Sequence, residues 1–369
     1  MQALILVGGE GTRLRPLTSA TPKPVVPLVD QPFITYMLEW LRTHGVDDVI
    51  LACGFRPDAM RAVLGDGSDR GIRLRYLVEP QPLGTGGALK FAQELLDERF
   101  LMLNGDILTD IDLSAQLAQH ERTGARGTLA LIPVEDPSAY GLVPLAPDGS
   151  VLEFLEKPGS DEVVDTNLIN AGAYILQREV LDEIGPKGTN ISIERDVFPD
   201  LVGSGLYGYD AQGAYWLDIG TPQRYLRGTY DILDGNVRTQ VGALLSEAGG
   251  RVLGDGRVDG RIVAPAILGD GCEIEAGAII GGRTVLGRGV KVGAGSVIQN
   301  SVLFDGVQVG AHTTIRSAVL ADGAKVGDHC HIEGSVIVGE RVTIGHHNAL
   351  AAGVRIFPGV TLPDDAIRF

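Results

Sequence analysis

Residues 3–24 read ALILVGGEGTRLRPLTSATPKP. Five apolar residues, Ala3 to Val7, run straight into a glycine-rich turn, the pattern of a buried strand followed by a loop. Glycines at such a turn let backbone N–H groups approach a polyphosphate closely, because no Cβ stands in the way. Arg13 and Lys23 add two positive charges, one suited to bidentate phosphate contact and one a compact point charge. The segment suits the phosphates of a nucleoside triphosphate. It is not a Walker loop, which would read GxxxxGK[ST], nor a dinucleotide fingerprint, because Leu14 stands where GxGxxG requires its last glycine.

The alternation of strand and helix continues to about residue 230. Strands are expected at 3–7, 48–53, 74–79, 100–104 and 128–134, and helices at 33–44, 86–96, 113–122 and 193–201. Phe33, Met37, Trp40, Leu41 and His44 recur at helical spacing and read as a core stripe. Such a pattern implies βαβ units, a mostly parallel Rossmann-like sheet of the α/β class, and ligands beyond the carboxyl ends of its strands. The GGEGTR turn and Asn104-Gly105-Asp106 fall at such ends.

Beyond a glycine-containing linker at 231–255 the pattern changes. Aliphatic residues recur every six positions from Ile262 to Ile298, slip by one to Leu303, Val309 and Ile315, then slip again to Leu320 and continue to Leu362. A six-residue period is the signature of a parallel β-helix over 256–369, each aliphatic side chain pointing inward and the small residue beside it permitting the corner. A solenoid leaves a terminal coil to be capped or paired, so self-association through this domain, giving a homo-oligomer, is expected.

A formal net charge of −16 excludes nucleic acid and anionic membrane as general partners. Three scattered cysteines, Cys53, Cys272 and Cys330, form no CxxC pair and read as buried thiols of a cytoplasmic protein. No signal peptide or membrane-spanning stretch is legible.

In order along the chain come GGEGTRLRPLT, PKP, EPQPLGTGGAL, NGD, FLEKP, INAG, SIERDVFP and WLDIGTP, then the hexapeptide tail. Together these resemble the sugar-1-phosphate nucleotidyltransferases over nearly the whole length. The resemblance implies a left-handed sense for the β-helix and a reaction joining a sugar-1-phosphate to a nucleoside triphosphate with release of pyrophosphate. GTP and mannose-1-phosphate, giving GDP-mannose, are the substrates it favours. It also implies site residues. Leu6, Gly8, Gly9, Gly11, Thr12, Arg13, Lys23, Glu79, Gly84 and Thr85 would bind the nucleotide. Tyr140, Gly141, Glu156, Lys157, Asn170 and Trp216 would hold the sugar phosphate. Asp106 and Asp218 would bind Mg²⁺, and these two with Arg13 and Lys23 would be the catalytic set.

The chemistry agrees with that set. A phosphate monoester has a second pKa of about 6 and is already a nucleophile near neutral pH, so no general base is required. Two anions must be brought in line and the departing pyrophosphate stabilised, which calls for positioning, cations and a divalent ion held by one or two carboxylates. Glu79, an acceptor-only carboxylate, suits the N–H donors of guanine. Thr85 reads as a helix N-cap, with Gly84 permitting close backbone approach. Glu194 and Arg195 read as a helical salt-bridge face, while the resemblance also allows them a place at the edge of the active site. Five histidines lie in the tail and read as surface or corner residues. Alternatives stay open: glucose-1-phosphate with dTTP, UTP, ATP or CTP, an acyltransferase in the tail, or a regulatory subunit that senses nucleotide sugar.

Overall fold

The computed structural model describes residues 1–54, 56–156 and 166–368. It divides into two compact units, one of Met1–Glu10 with Tyr36–Trp216, the other of Gly11–Thr35 with Leu217–Phe369.

The first unit is built on a nine-stranded sheet. Its parallel run places Gln2–Leu6 between Arg99–Asn104 and Asp48–Cys53, with Arg73–Val78 outside the latter. Val49 to Cys53 and Phe100 to Leu103 are fully buried, and such unbroken apolar runs form where both faces of a parallel sheet are covered. Beyond Arg99–Asn104 the sheet turns antiparallel through the ten-residue strand Leu168–Gln177. This strand also pairs with Gly127–Pro133, to which Leu206–Asp210 adds in parallel. The sheet is therefore mixed.

All five expected strands form, each with bounds within one residue of expectation. The stripe on helix Phe33–Thr43 is core at Phe33, Met37, Trp40 and Leu41, which are buried, whereas His44 falls past the helix end, half-buried and bonded to the Ser114 hydroxyl at 2.9 Å. The indole of Trp40 donates to the Ile111 carbonyl at 2.8 Å. The helix expected at 86–96 starts earlier, at Gly84, and ends in a tight turn at Gln93–Leu95. The one expected at 193–201 splits into Ile193–Asp196 and Phe198–Leu201. Pro199, in the first turn of the second piece, has no N–H to continue the hydrogen-bond ladder of the first.

The second unit contains three parallel sheets of seven, seven and six short strands, the architecture of a parallel β-helix. Ile280, Ile298, Ile315, Ile332 and Leu350 stack in register along one sheet and are all fully buried. The two register slips are short corners. The stacked interior positions Ile280 and Leu286 are six residues apart, whereas Ile298 and Leu303, like Ile315 and Leu320, are five apart. The ladder stays aligned because the residue is lost from the corner rather than from a strand.

The glycines after the inward aliphatic residues serve a purpose other than bending the chain. A Cβ on Gly310 would lie 2.3 Å from the Asp328 carboxylate of the next coil, so these positions are small because successive coils approach closely. The bends with positive φ are carried elsewhere, by His312, His329 and His347 among others.

The stretch expected as a linker carries helix Gln240–Glu247, capped by the Thr239 hydroxyl on the Gly242 N–H at 3.0 Å. It also holds strand Arg251–Leu253, which pairs with Ala266–Leu268. No helix among the described residues is long and apolar enough to cross a membrane. The three cysteines are free and buried.

Candidate functional site

In the first unit, Leu6 ends its strand in register with Ala52 and Asn104. A Cβ on Gly105 would sit 2.5 Å from the Leu6 carbonyl, so the Asn-Gly-Asp turn carrying Asp106 packs directly on the end of that strand. Gly8 faces Gly54 and Glu79, whose backbone nitrogen and carboxylate would lie 3.4 and 3.6 Å from an added Cβ, while among the described residues a Cβ on Gly9 would meet no atom of a non-neighbouring residue within 4 Å. The Glu79 carboxylate accepts from the Leu83 N–H at 3.2 Å. Burial raises its pKa, and the Leu83 hydrogen bond opposes that rise.

Thr85 is not the N-cap that its position suggested. The helix begins two residues earlier than expected, at Gly84, with Leu83 as a cap that offers no side-chain bond. The Thr85 hydroxyl instead accepts from the Ile193 N–H at 2.8 Å and donates to the Glu194 carboxylate at 2.6 Å. Glu194 also accepts from the Ser192 hydroxyl at 2.8 Å, so it is a tether between two segments rather than part of a helical salt-bridge face. Gly84, at φ 72°, approaches backbone as expected, but the backbone is that of the Asn190-Ile191 segment: an added Cβ would lie 2.5 Å from the Ile191 carbonyl.

The residues read as a sugar-phosphate set are assembled by the antiparallel half of the sheet. Strand Gly141–Leu142 pairs with Leu155–Glu156, setting Gly141 opposite Glu156, and Leu142 pairs in turn with Ile169, next to Asn170. Gly141 has to be small, since a Cβ there would come within 2.8 Å of the Glu156 carboxylate. Tyr140 and Trp216 meet edge to face with ring centroids 5.4 Å apart. The Trp216 indole donates to the Ala171 carbonyl at 2.8 Å, which fixes the ring beside Asn170. Tyr215 is held in turn by Asp110, whose carboxylate accepts its N–H at 2.8 Å, and by the Thr109 hydroxyl, which donates to its carbonyl at 2.7 Å. Lys157, also assigned to this set, lies outside the described residues.

Sequence reading missed the residues that hold this set in place. Asn170 donates to the hydroxyl of the fully buried Tyr174 at 2.8 Å and accepts from the Gly172 N–H at 3.1 Å. A register shift between Asn170 and Tyr174 bends the strand there, and Gly172, at φ 72°, leaves room for the Asn104 side chain, 2.7 Å from where a Cβ would stand. The only sequence signal for the bend was a glycine inside a strand.

The second unit holds the cationic residues. Gly11, at φ 62°, opens the short turn Thr12–Leu14, and a Cβ there would touch the Lys23 and Thr18 side chains at 3.0 and 3.1 Å. Lys23 itself is largely buried. The Arg13 guanidinium and the Asp218 carboxylate both flank Gly220, each 3.2 Å from where a Cβ would be. Asp218 also pairs with Arg224, a cation on helix Pro222–Leu233 that the sequence reading did not single out.

Asp106 and Asp218 offer hard oxygen donors, the kind Mg²⁺ takes alongside phosphate oxygens and water. Among the described residues no group of three or more His, Cys, Asp or Glu side chains forms a metal cage. In the solenoid, His312, His329 and His347 stack at successive corners with ring centroids 5.2 Å apart.

A family model described as nucleotidyl transferase matches residues 2–235, and one described as the GMPPB C-terminal domain matches residues 262–367. The chain belongs to the nucleotidyl transferase family. Mannose-1-phosphate guanylyltransferase of Mycobacterium tuberculosis is 39% identical over 100% of this chain and 98% of its own length. Mannose-1-phosphate guanylyltransferase 1 of Arabidopsis thaliana is 37% identical over 82% of this chain and 86% of its own. Among solved structures, HddC from Yersinia pseudotuberculosis complexed with GMP-PN aligns with a TM-score of 0.53 at 28% identity, covering 62% of this chain and 97% of that one.

Proposed function

We propose that this protein transfers a guanylyl group from GTP to mannose-1-phosphate, giving GDP-mannose and pyrophosphate. The observation that carries the reading is the end-to-end likeness to the mycobacterial mannose-1-phosphate guanylyltransferase. The sugar set Tyr140, Gly141, Glu156, Asn170 and Trp216 supports it. A phosphate oxygen of the sugar phosphate attacks the α-phosphorus of GTP, a P–O bond forms, and the bond to the β-phosphate oxygen breaks.

Arg13 and Lys23 neutralise the triphosphate, with Gly8, Gly9, Gly11 and Thr12 as the loop around it. Glu79 accepts from the guanine N–H groups. Glu156 and Asn170 bind sugar hydroxyls, Lys157 balances the sugar phosphate, and Trp216 with Tyr140 forms an apolar wall. Asp106 and Asp218 would hold Mg²⁺, and such an ion would offset the charge that develops on the pyrophosphate. The protein works in the cytoplasm and self-associates through the solenoid.

The test is a product assay over a grid of triphosphates and sugar-1-phosphates with Mg²⁺ present. GDP-mannose should form with the highest kcat/KM. A higher value for any glucose-1-phosphate pair would replace this reading, and the absence of pyrophosphate release for every pair would end it.

A further inference from the structure

Arg355 lies on the outer face of the short strand Arg355–Ile356, one of the last strands of the solenoid, opposite Ile337. Ile356 points inward and is buried, so strand alternation turns Arg355 outward. Its Nη1 donates to two carbonyls, those of Arg13 at 2.9 Å and Arg15 at 3.1 Å, 342 and 340 residues earlier in the chain.

Those two carbonyls alternate with the ones the turn uses for itself. The Gly11 carbonyl accepts from Leu14 N–H and from the Thr18 hydroxyl, the Thr12 carbonyl from Arg15, the Leu14 carbonyl from Leu17 and the Pro16 carbonyl from Ser19. One guanidinium thus completes the set of paired carbonyls from Gly11 to Pro16. Residues 11–35 accordingly group with the solenoid rather than with the sheet from whose first strand they follow.

We propose that Arg355 is a positioning residue for nucleotide transfer: by gripping the backbone on both sides of Leu14, it aims the Arg13 guanidinium. That guanidinium stands beside Gly220 and Asp218, so a small rotation of the turn would carry the charge away from where phosphate must bind. The solenoid is then a working part of the transferase and not only a platform for assembly. This inference rests on the reading of Arg13 as a triphosphate ligand.

The experiment compares full-length wild type with Arg355→Ala, Arg355→Lys and Arg13→Ala in steady-state pyrophosphate release from GTP and mannose-1-phosphate, with thermal unfolding of each. Arg355→Ala should raise KM for GTP about fivefold and lower kcat, leaving KM for mannose-1-phosphate within about twofold. Because Arg355 is exposed, its melting temperature should stay at the wild-type value. Arg355→Lys, which keeps a cationic donor, should recover most of the loss. Unchanged KM for GTP in Arg355→Ala, or an equal rise in KM for both substrates that tracks a lowered melting temperature, overturns the positioning role. Wild-type turnover by Arg13→Ala overturns instead the reading of Arg13 on which it rests.

Discussion

The side-chain amide of Asn170 donates to the hydroxyl of Tyr174 at 2.8 Å across the bend in strand Leu168–Gln177. Tyr174 has no exposed surface, and its ring meets Phe198 edge to face at 5.1 Å. A phenol locked in the core therefore orients an amide proposed to touch the sugar. Burial, with the Glu194 charge adding to it, pushes the Tyr174 pKa well up, so the hydroxyl stays neutral throughout the working range.

Tyr174→Phe removes this one oxygen and leaves the packing almost intact. The Asn170 amide loses a partner in a half-buried site, which should cost about 1 kcal/mol of stability. KM for mannose-1-phosphate should rise about fivefold while KM for GTP holds. Parallel KM measurements decide it: equal changes for both substrates would mean the hydroxyl does nothing specific for Asn170.

Gly141 gives a second test. An alanine methyl there would meet the Glu156 carboxylate at 2.8 Å, and the side chain must swing away. The expected result for Gly141→Ala is about a tenfold fall in kcat/KM for the sugar phosphate, with the folded state little altered. A crystal structure of the variant with Glu156 unmoved, and unchanged kinetics, would remove Glu156 from the sugar site.

Glu79 ties nucleotide choice to pH. Burial raises its carboxyl above the ordinary glutamate range, so the protonated form persists to higher pH than in an unfolded chain. The ionised carboxylate is then a net cost to folding at neutral pH, relieved as the pH falls through the raised pKa. Guanine recognition runs the other way, because only the ionised form is a pure acceptor. KM for GTP should climb as the pH drops into that range, and Glu79→Gln should abolish this limb and cut the preference for GTP over UTP about tenfold. An unaltered preference in Glu79→Gln would discard the role.

His120 predicts a stability effect far from any substrate. Its ring is buried between the Thr128 hydroxyl at 2.9 Å and the Gln177 amide at 3.0 Å. Burial, helped by the Arg99 charge, lowers its pKa from 6.5 to about 4. The unfolded chain binds the proton more readily, so this contribution is fully present above pH 6.5 and is lost as the pH falls toward 4. Melting temperatures measured across that interval should fall less steeply for His120→Gln than for wild type, and identical slopes would refute the assignment.

Much of this was legible in the amino-acid order. Strand and helix positions in the first unit followed from apolar periodicity, which local geometry imposes on any chain of that pattern. The solenoid followed from its six-residue repeat, and even the slips in that repeat marked real corners, between Ile298 and Leu303 and between Ile315 and Leu320. The motifs named Gly141, Glu156 and Asn170, which strand pairing does bring together.

What the order of residues could not reveal was partnership over distance. Thr85 looked like a cap because a hydroxyl at a helix start usually is one; only the arrival of the 192–194 segment gives it Glu194 instead. The glycines that follow the inward aliphatic residues looked like corner formers, yet for most of them the coil lying 17 or 18 residues further on is what excludes a side chain. Periodicity is fixed within a few residues by backbone geometry, and the sequence alone determined it. Which buried donor meets which acceptor, as Arg355 meets the carbonyls of Arg13 and Arg15, depends on how whole elements pack, and only the tertiary structure decided that.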